Sequence, residues 1–355
     1  MRPPSDSQQL EFLGNIQRLL SEGQFVATYK YALLLALADI AVEVAGESSG
    51  TVGIETRRVA EKFIQYYWRQ CIPYEPRGTA GRLLRQNNGR RAAVLRHVLE
   101  ARKKFHGSLA AAKQDATAWS RLVQSVDSVV RGMPLWKLQT VGRQKLDFLY
   151  ANRGRGTTIE LRPGVAYCLR RFHGLIGDLV RGAWVRFVRR SNHDLLGTTT
   201  GLAEFLFGSE RADLTPAKPV LREIQCGGCF YCKRPVRVSS AHVDHFVPWS
   251  RYPVDLGHNF VLAHAGCNTS KSDHLAAAEF LNAWVERNQQ HGDVMEDELG
   301  ALGIVCHLPT SARVTTWAYS QLDVAGGLTW RRKNTLVQLP GGWERRLLEL
   351  VAGTN

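Results

Sequence analysis

The sequence lacks a hydrophobic run long enough to cross a membrane, which takes about 18 residues. Its most apolar stretch, residues 31–45, is interrupted by Asp39 and Glu43. The first residues, MRPPSDSQQLEF, lack the apolar core of a secretory signal. The sequence also contains no internal repeat and no low-complexity tract. We therefore expect a globular, cytoplasmic protein without a membrane partner.

The seven cysteines do not form the pattern of a disulfide framework. Four of them, including Cys226, lie within or beside one short stretch in the second half of the chain. Metal ligation in a reducing compartment explains this clustering better than disulfides do. Cys71, Cys168 and Cys306 stand alone, and we interpret them as small buried apolar groups.

Charge of one sign dominates the chain, whose formal net charge is +14. Residues 76–190 hold 24 Lys and Arg against 6 Asp and Glu, whereas residues 221–290 are nearly balanced, with 7 against 6. A basic surface can serve solubility alone. Concentrated in one region, however, it favours an acidic polymer as partner. The nucleic-acid contacts that we predict in this region are Arg82, Arg85, Arg102, Lys103 and Lys104.

Hydrophobic periodicity predicts a mainly helical first part of the chain and a mixed second part. A proline-bearing polar linker at 213–218 is the best boundary. We therefore predict an α+β protein with a basic helical domain at 1–215 and a second domain at 216–355. We predict a turn at 46–53, a loop at 149–159, and either strand or helix at 314–319. Helices are predicted at 8–46 (two helices), 55–70, 90–105, 116–131, 161–191, 197–210, 274–289 and 343–351.

Two pairs of metal-ligand residues frame the stretch from 229 to 271. The pairs are Cys229-x-x-Cys232 and His264-x-x-Cys267. Thiolates and imidazoles at this spacing converge on a tetrahedral Zn²⁺, so we predict a structural zinc site. Cys226 extends the first pair to Cys-x-x-Cys-x-x-Cys, and we interpret it as either a spare thiol or a residue that supports the zinc ligands.

A second set of polar residues lies between and beside these pairs. Asp244 and His245 follow a predicted strand at 241–243, Asn259 precedes a predicted strand at 260–263, and Asn268 follows the last Cys. Taken singly, each could be a turn or cap residue. Together, a carboxylate and carboxamides beside a histidine predict a hard-cation site with a base, and hence a second, catalytic metal.

These motifs resemble the zinc-knuckle subgroup of the HNH endonuclease family, whose fold is the ββα-metal motif. The resemblance covers about residues 227–274 and rests on the segments CFYC, VDHFVPWSR, HNFVLA and CNTSK. It implies that Asp244 and Asn268 hold Mg²⁺ or Mn²⁺. It also implies that His245 is the general base and that Asn259 orients it.

The chain departs from the family pattern at two positions. His264 stands where the second knuckle usually has Cys, which gives a Cys₃His zinc site. Asn268 stands where the family has its last His, which gives a site of the H-N-N type. His274, expected on the same helix but turned away from Asn268, is the alternative ligand. His242 shares the strand face of Asp244 and is expected near the metal or in the core.

The resemblance implies a metal-dependent endonuclease that hydrolyses DNA, in the manner of bacterial restriction or anti-phage nucleases. Partner proteins of a defence system would fit such a role, and the sequence does not decide the oligomeric state. Two alternatives stay open: a zinc-stapled module that binds nucleic acid without cutting it, and an HNH nuclease that acts on RNA or as a toxin. Arg251 and Lys271 are expected to contact phosphate, with solvated surface as the alternative.

Overall fold

The computed structural model describes residues 3–23, 25–44, 50–75, 81–89, 92–151, 156–196, 201–208 and 213–352. The chain divides into two compact units, 1–209 and 210–355, and the predicted boundary at 215/216 lies close to this division. None of the helices in the described ranges combines the length and the hydrophobicity that a membrane crossing requires.

The first unit is mainly helical and carries two small antiparallel sheets. β1 (Val52–Glu55) pairs with β4 (Thr158–Leu161), and β2 (Thr140–Val141) pairs with β3 (Gln144–Lys145). Its helices are α1 (Asp6–Glu22), α2 (Tyr29–Glu43), α3 (Thr56–Gln70), α4 (Ala93–Lys104), α5 (Leu109–Gln114), α6 (Ala116–Gly132), α7 (Pro134–Lys137), α8 (Val165–Arg171), α9 (His173–Ser191), α10 (His193–Leu196) and α11 (Leu202–Phe207).

Helix α2 forms the centre of the first unit. It is buried from Lys30 to Glu43 because apolar side chains cover nearly its whole circumference. The two acids that interrupt it are paired: Asp39 lies 2.8 Å from His173 Nε2, and Glu43 lies 2.5 Å from Lys62 Nζ. Pairing offsets the cost of burying these carboxylates, so the charges are compatible with a core helix.

The structure corrects several predicted elements of the first unit. The helix predicted at 161–191 is two helices, α8 and α9, which meet at Phe172. The turn predicted at 46–53 and the loop predicted at 149–159 contribute the paired strands β1 and β4. Four-residue strands are too short for alternation to reveal them. Parts of the predictions at 8–46, 46–53, 90–105, 149–159 and 197–210 lie outside the described residues.

The second unit contains a ββα arrangement and a helical layer. The hairpin strands are β5 (Ala241–His245) and β6 (Phe260–His264), which pair Asp244 with Val261. A second hairpin joins β7 (Thr329–Arg332) and β8 (Thr335–Val337). The helices are α12 (Ala217–Ile224), α13 (Ala265–Lys271), α14 (Ala278–Ala301), α15 (Leu308–Val324) and α16 (Arg345–Ala352). The predicted α+β class is thus confirmed.

One helix prediction in this unit needs correction, and the choice between strand and helix at 314–319 is decided. The helix predicted at 274–289 begins at Ala278 and continues to Ala301, and residues 314–319 lie within a helix. Phe246 stacks on both Trp284 and Tyr319, with ring centroids 5.5 and 6.2 Å apart. These contacts pack α14 and α15 against the segment that follows β5, so the helical layer supports the ββα arrangement.

Candidate metal centre and active site

The four predicted zinc ligands come together in the structure. Their ligand atoms, from Cys229, Cys232, His264 and Cys267, all lie within 4.8 Å of one another. A tetrahedral zinc with Zn–S bonds of about 2.3 Å requires sulfur atoms about 3.8 Å apart, so this set is compatible with the ion. Cys226 is exposed and outside the group, as the sequence predicted.

Backbone contacts hold the first knuckle against β6. Phe230 N donates to Leu262 O over 2.8 Å, and the side chain of Gln225 bonds to both the N–H and the carbonyl of Leu262. His264 Nδ1 lies 3.3 Å from the sulfur of Cys232, while its Nε2 lies 3.1 Å from Pro235 O. An Nε2–H that donates to this carbonyl leaves the Nδ1 lone pair for a metal.

The protonation of the thiols also favours a cation. Burial raises the pKa of Cys232, but hydrogen bonds from Arg234 and neighbouring groups outweigh it and bring that pKa to about 6. Burial and the neighbouring sulfurs of Cys229 and Cys232 raise the pKa of Cys267 to about 12. One thiolate therefore forms readily and opposes the next. A divalent cation removes this repulsion, and three sulfurs with one imidazole form a normal zinc set.

Asp244 lies where β5 faces α13, and its carboxylate is buried. It accepts a hydrogen bond of 2.5 Å from the Tyr231 hydroxyl. Burial and the charge of Asp244 raise the pKa of Tyr231 well above its usual value, so the phenol stays protonated and donates. Lys271 Nζ lies 3.1 Å from the same oxygen, Asp244 Oδ2. It donates to Asp244 Oδ1 over 3.3 Å and to His245 O over 3.0 Å.

Lys271 was predicted as a phosphate contact, but the structure places it elsewhere. Its side chain is fully buried, and burial lowers its pKa. Arg251, the other predicted contact in this region, is half-buried, and its Nε atom has no hydrogen-bond partner among the described residues. The side chain of the lysine in CNTSK faces either solvent or the core, depending on how its short helix is rotated against the strands. The sequence alone does not reveal that rotation.

Asn268 lies one turn before Lys271, on the same face of α13. Its Nδ2 is 3.4 Å from Nδ1 of His242, which is exposed on β5 two residues before Asp244. Asn268, His242 and Asp244 therefore follow one seam between strand and helix. His274 is not on this helix, because α13 ends at Lys271, and the helical argument against it is wrong. Its Nδ1 lies 3.2 Å from the carbonyl of Lys271.

His245 has a partner that sequence reasoning missed. Its Nε2 lies 2.8 Å from Oδ1 of Asp255, while Nδ1 makes no hydrogen bond to a described residue. The rings of Trp249 and Phe260 approach the imidazole edge to face at 5.1 and 5.0 Å. These contacts leave the ring little freedom. Asp255 carried no sequence signal beyond being an acid in the loop between the two strands.

Asn259 is buried and fixes the chain just after His245. Its Oδ1 accepts from Val247 N over 2.8 Å and its Nδ2 donates to Val247 O over 3.0 Å. Arg287 of α14 in turn donates to the carbonyls of His258 and Phe260, on either side of Asn259. The adjacent Gly257 is needed because a Cβ there would lie 2.3 Å from the sulfur of Cys306.

The basic residues predicted in the first unit differ in their surroundings. Arg85 is half exposed and pairs with Asp194 at 2.9 Å. Lys104 pairs with Asp115 at 3.2 Å, and Arg102 donates to the carbonyls of Trp68 and Gly107. Arg82 and Lys103 are exposed. Their role in binding nucleic acid stays a prediction.

The comparisons with known proteins agree with this geometry. Residues 229–274, which include the four predicted zinc ligands and the ββα arrangement, match the HNH endonuclease family model. The chain thus contains an HNH domain, which indicates nuclease activity, a divalent metal and nucleic acid as the class of partner. Residues 7–201 match the family described as Domain of unknown function (DUF8808), and because this match covers more than half of the chain, the protein belongs to that family. Searches of curated proteins and of solved structures found no match.

Proposed function

We propose that this protein is a metal-dependent endonuclease that hydrolyses phosphodiester bonds of DNA. The observation that carries the proposal is the setting of His245. One ring nitrogen is bound to the carboxylate of Asp255 at 2.8 Å, the other makes no hydrogen bond to a described residue, and the oxygen donor Asp244 is its neighbour. A histidine held in one tautomer beside a hard-cation ligand has the arrangement of a general base for water.

Each residue of the site then has a defined task. The oxygens of Asp244 and Asn268 would hold Mg²⁺ or Mn²⁺, cations that prefer carboxylate and carboxamide ligands. When bound, such a cation supplies polarisation of the phosphate and neutralisation of the leaving oxygen. His245 takes the proton of the attacking water at Nδ1. Asp255 accepts the hydrogen bond from Nε2–H and so maintains the tautomer, and Asn259 holds the backbone that follows His245.

The zinc cluster would shape the site rather than react. Its four ligands leave no open position of the kind that a catalytic zinc requires. The knuckle that carries Cys229 also carries Tyr231, whose hydroxyl bonds to Asp244. Zinc binding would therefore fix one of the two groups that orient the catalytic carboxylate.

DNA as substrate is supported by the basic composition of residues 76–190, which supplies sequence-independent attraction for a polyanion. A basic helical region in one chain with an HNH domain is the layout of bacterial restriction or anti-phage nucleases, and this likeness supports a role in defence as part of the proposal.

The test is cleavage by zinc-loaded protein in buffer freed of other metals, with supercoiled DNA, relaxed DNA and RNA as substrates. We expect no cleavage until Mg²⁺ or Mn²⁺ is added, and then nicking or linearisation of DNA. Cleavage of RNA but not of DNA would show that RNA, and not DNA, is the substrate. Salt-sensitive binding without cleavage under either ion would support the non-catalytic module instead.

A further inference from the structure

The β7–β8 hairpin is fixed beside the zinc cluster although it lies outside the residues that match the HNH family. Ala277 N donates to Trp330 O, and Trp330 N donates to Leu275 O, both over 2.7 Å. The indole Nε1 of Trp330 donates to Ser270 Oγ on α13 over 3.1 Å. Backbone bonds thus tie the hairpin to the segment that follows α13, and the Trp330 side chain ties it to α13 itself, the helix that carries Cys267 and Asn268.

A groove of about 740 Å³ lies between the hairpin and the zinc knuckle, and three of the predicted zinc ligands, Cys232, His264 and Cys267, line it. Its apolar wall consists of Tyr231, Phe280 and Trp330, whose rings pack on one another at 5.2 to 5.6 Å. Its rim carries Arg234 from the knuckle and the run 331–333, Arg-Arg-Lys, from the hairpin. The groove therefore combines an apolar wall with a basic rim.

Two of the four rim cations already have partners, and two do not. Arg234 bonds to the sulfur of Cys232. Arg331 is offset by Glu279 at 2.7 Å. Arg332 and Lys333 are exposed, and neither forms an ion pair with an acid in the described part of the chain. Residues 221–290 hold 7 basic and 6 acidic residues, a count that does not include the run 331–333. In the fold this run lies beside the zinc cluster. The surface beside the zinc cluster is therefore basic, although residues 221–290 alone are nearly neutral.

We propose that this groove binds the sugar–phosphate backbone of DNA. Choosing DNA over another polyanion rests on the proposed function. Guanidinium and ammonium groups on the rim match phosphate oxygens, and an apolar wall accommodates the sugar faces between them. Such contacts are independent of sequence, so the groove sets position and affinity rather than base specificity.

The experiment measures binding of a short labelled DNA duplex to full-length, zinc-loaded protein without added Mg²⁺ or Mn²⁺, across a range of salt. The variant is Arg332→Gln/Lys333→Gln. The matched control is Arg222→Gln/Arg345→Gln, which removes the same charge from exposed positions that do not line the groove. If both rim residues contact phosphate, the slope of log affinity against log salt falls by about 1.8, which at about 0.1 M salt is a loss of about 60-fold.

We expect that loss in the groove variant and a change of less than about 3-fold in the control. Equal affinity of the groove and control variants would overturn the proposal, as would polyglutamate competing as well as unlabelled duplex. Protection of Lys333 from amine labelling by the duplex provides a second readout that needs no variant, and its absence would also count against the groove. If the wild type binds but never cleaves with Mg²⁺, the nuclease proposal fails while the groove result stands.

Discussion

The buried pair of Lys271 and Asp244 gives the sharpest stability prediction. The lysine side chain is 0% exposed and the aspartate side chain 9% exposed, and the shortest distance between the charged groups is 3.1 Å. Lys271→Met keeps the length of the side chain and removes its charge. Asp244 is then left buried with a single hydroxyl donor, Tyr231.

Breaking a buried ion pair from one side costs about 3–5 kcal/mol, because the remaining charge loses its compensation. We therefore expect Lys271→Met to lower the free energy of unfolding of the second unit by about that amount. Asp244→Asn combined with Lys271→Met should cost less than the sum of the single changes, with a coupling energy of about 1–3 kcal/mol.

Urea unfolding of the four proteins of this double-mutant cycle, with zinc content checked in each, measures the coupling. Lys218→Met is the matched control, since it removes an ammonium from half-buried Lys218 on α12. DNA affinity is measured in parallel. If Lys271→Met unfolds like the wild type but binds DNA several-fold more weakly, Lys271 is a phosphate contact and the buried-pair reasoning is refuted.

Three further predictions concern the site and its support. Asp255→Asn should lower kcat by about 10²–10⁴-fold with little change in DNA affinity, because the Nε2–H tautomer of His245 is no longer enforced. Asp255→Glu should recover part of the activity. An unchanged kcat, or an unchanged His245 tautomer by nitrogen NMR, would contradict this role of Asp255. Burial lowers the pKa of His258 from 6.5 to about 4. Below pH 6.5 the unfolded chain therefore binds a proton that the folded chain does not, and the free energy of unfolding should fall by about 2 kcal/mol from pH 7.5 to pH 5 relative to His258→Gln. A stability difference between the two proteins that does not depend on pH would contradict this prediction. Cys267→Ser should abolish stoichiometric zinc binding and unfold the second unit at lower temperature, and full zinc retention would show that the cluster is not the zinc site.

The site could be predicted from sequence because its chemistry is local. Knuckle spacing places Cys229 near Cys232 through a single turn, and the Asp244–His245 dipeptide fixes two groups at once. The hairpin and the short helix that follow are specified by the same stretch. A pattern of about 45 residues was therefore enough to predict both the zinc ligands and the ββα order.

Contacts with segments that are distant in sequence, or that carry no recognisable pattern, could not be predicted. Asp255 lies in a loop whose path sets its distance to His245, and no spacing rule predicts such a path. The run 331–333 is brought beside the zinc knuckle by Trp330, whose backbone bonds to Leu275 and Ala277 and whose ring packs on Tyr231. The burial of Lys271 depends on the rotation of α13 against β5, which propensity does not determine. Sequence patterns thus predicted the ligands better than their supporting residues.

In the proposed mechanism His245 activates water for hydrolysis of the DNA backbone. Its most direct test is the rate at which the wild type and His245→Ala, both zinc-loaded, cleave supercoiled plasmid in Mg²⁺. The DNA affinity of each protein is measured alongside, so that the rates are compared at equal occupancy of the DNA. We expect a loss of at least about 100-fold in the variant, since general-base catalysis supplies about 10²–10⁴-fold. Cleavage by His245→Ala at the wild-type rate would contradict it.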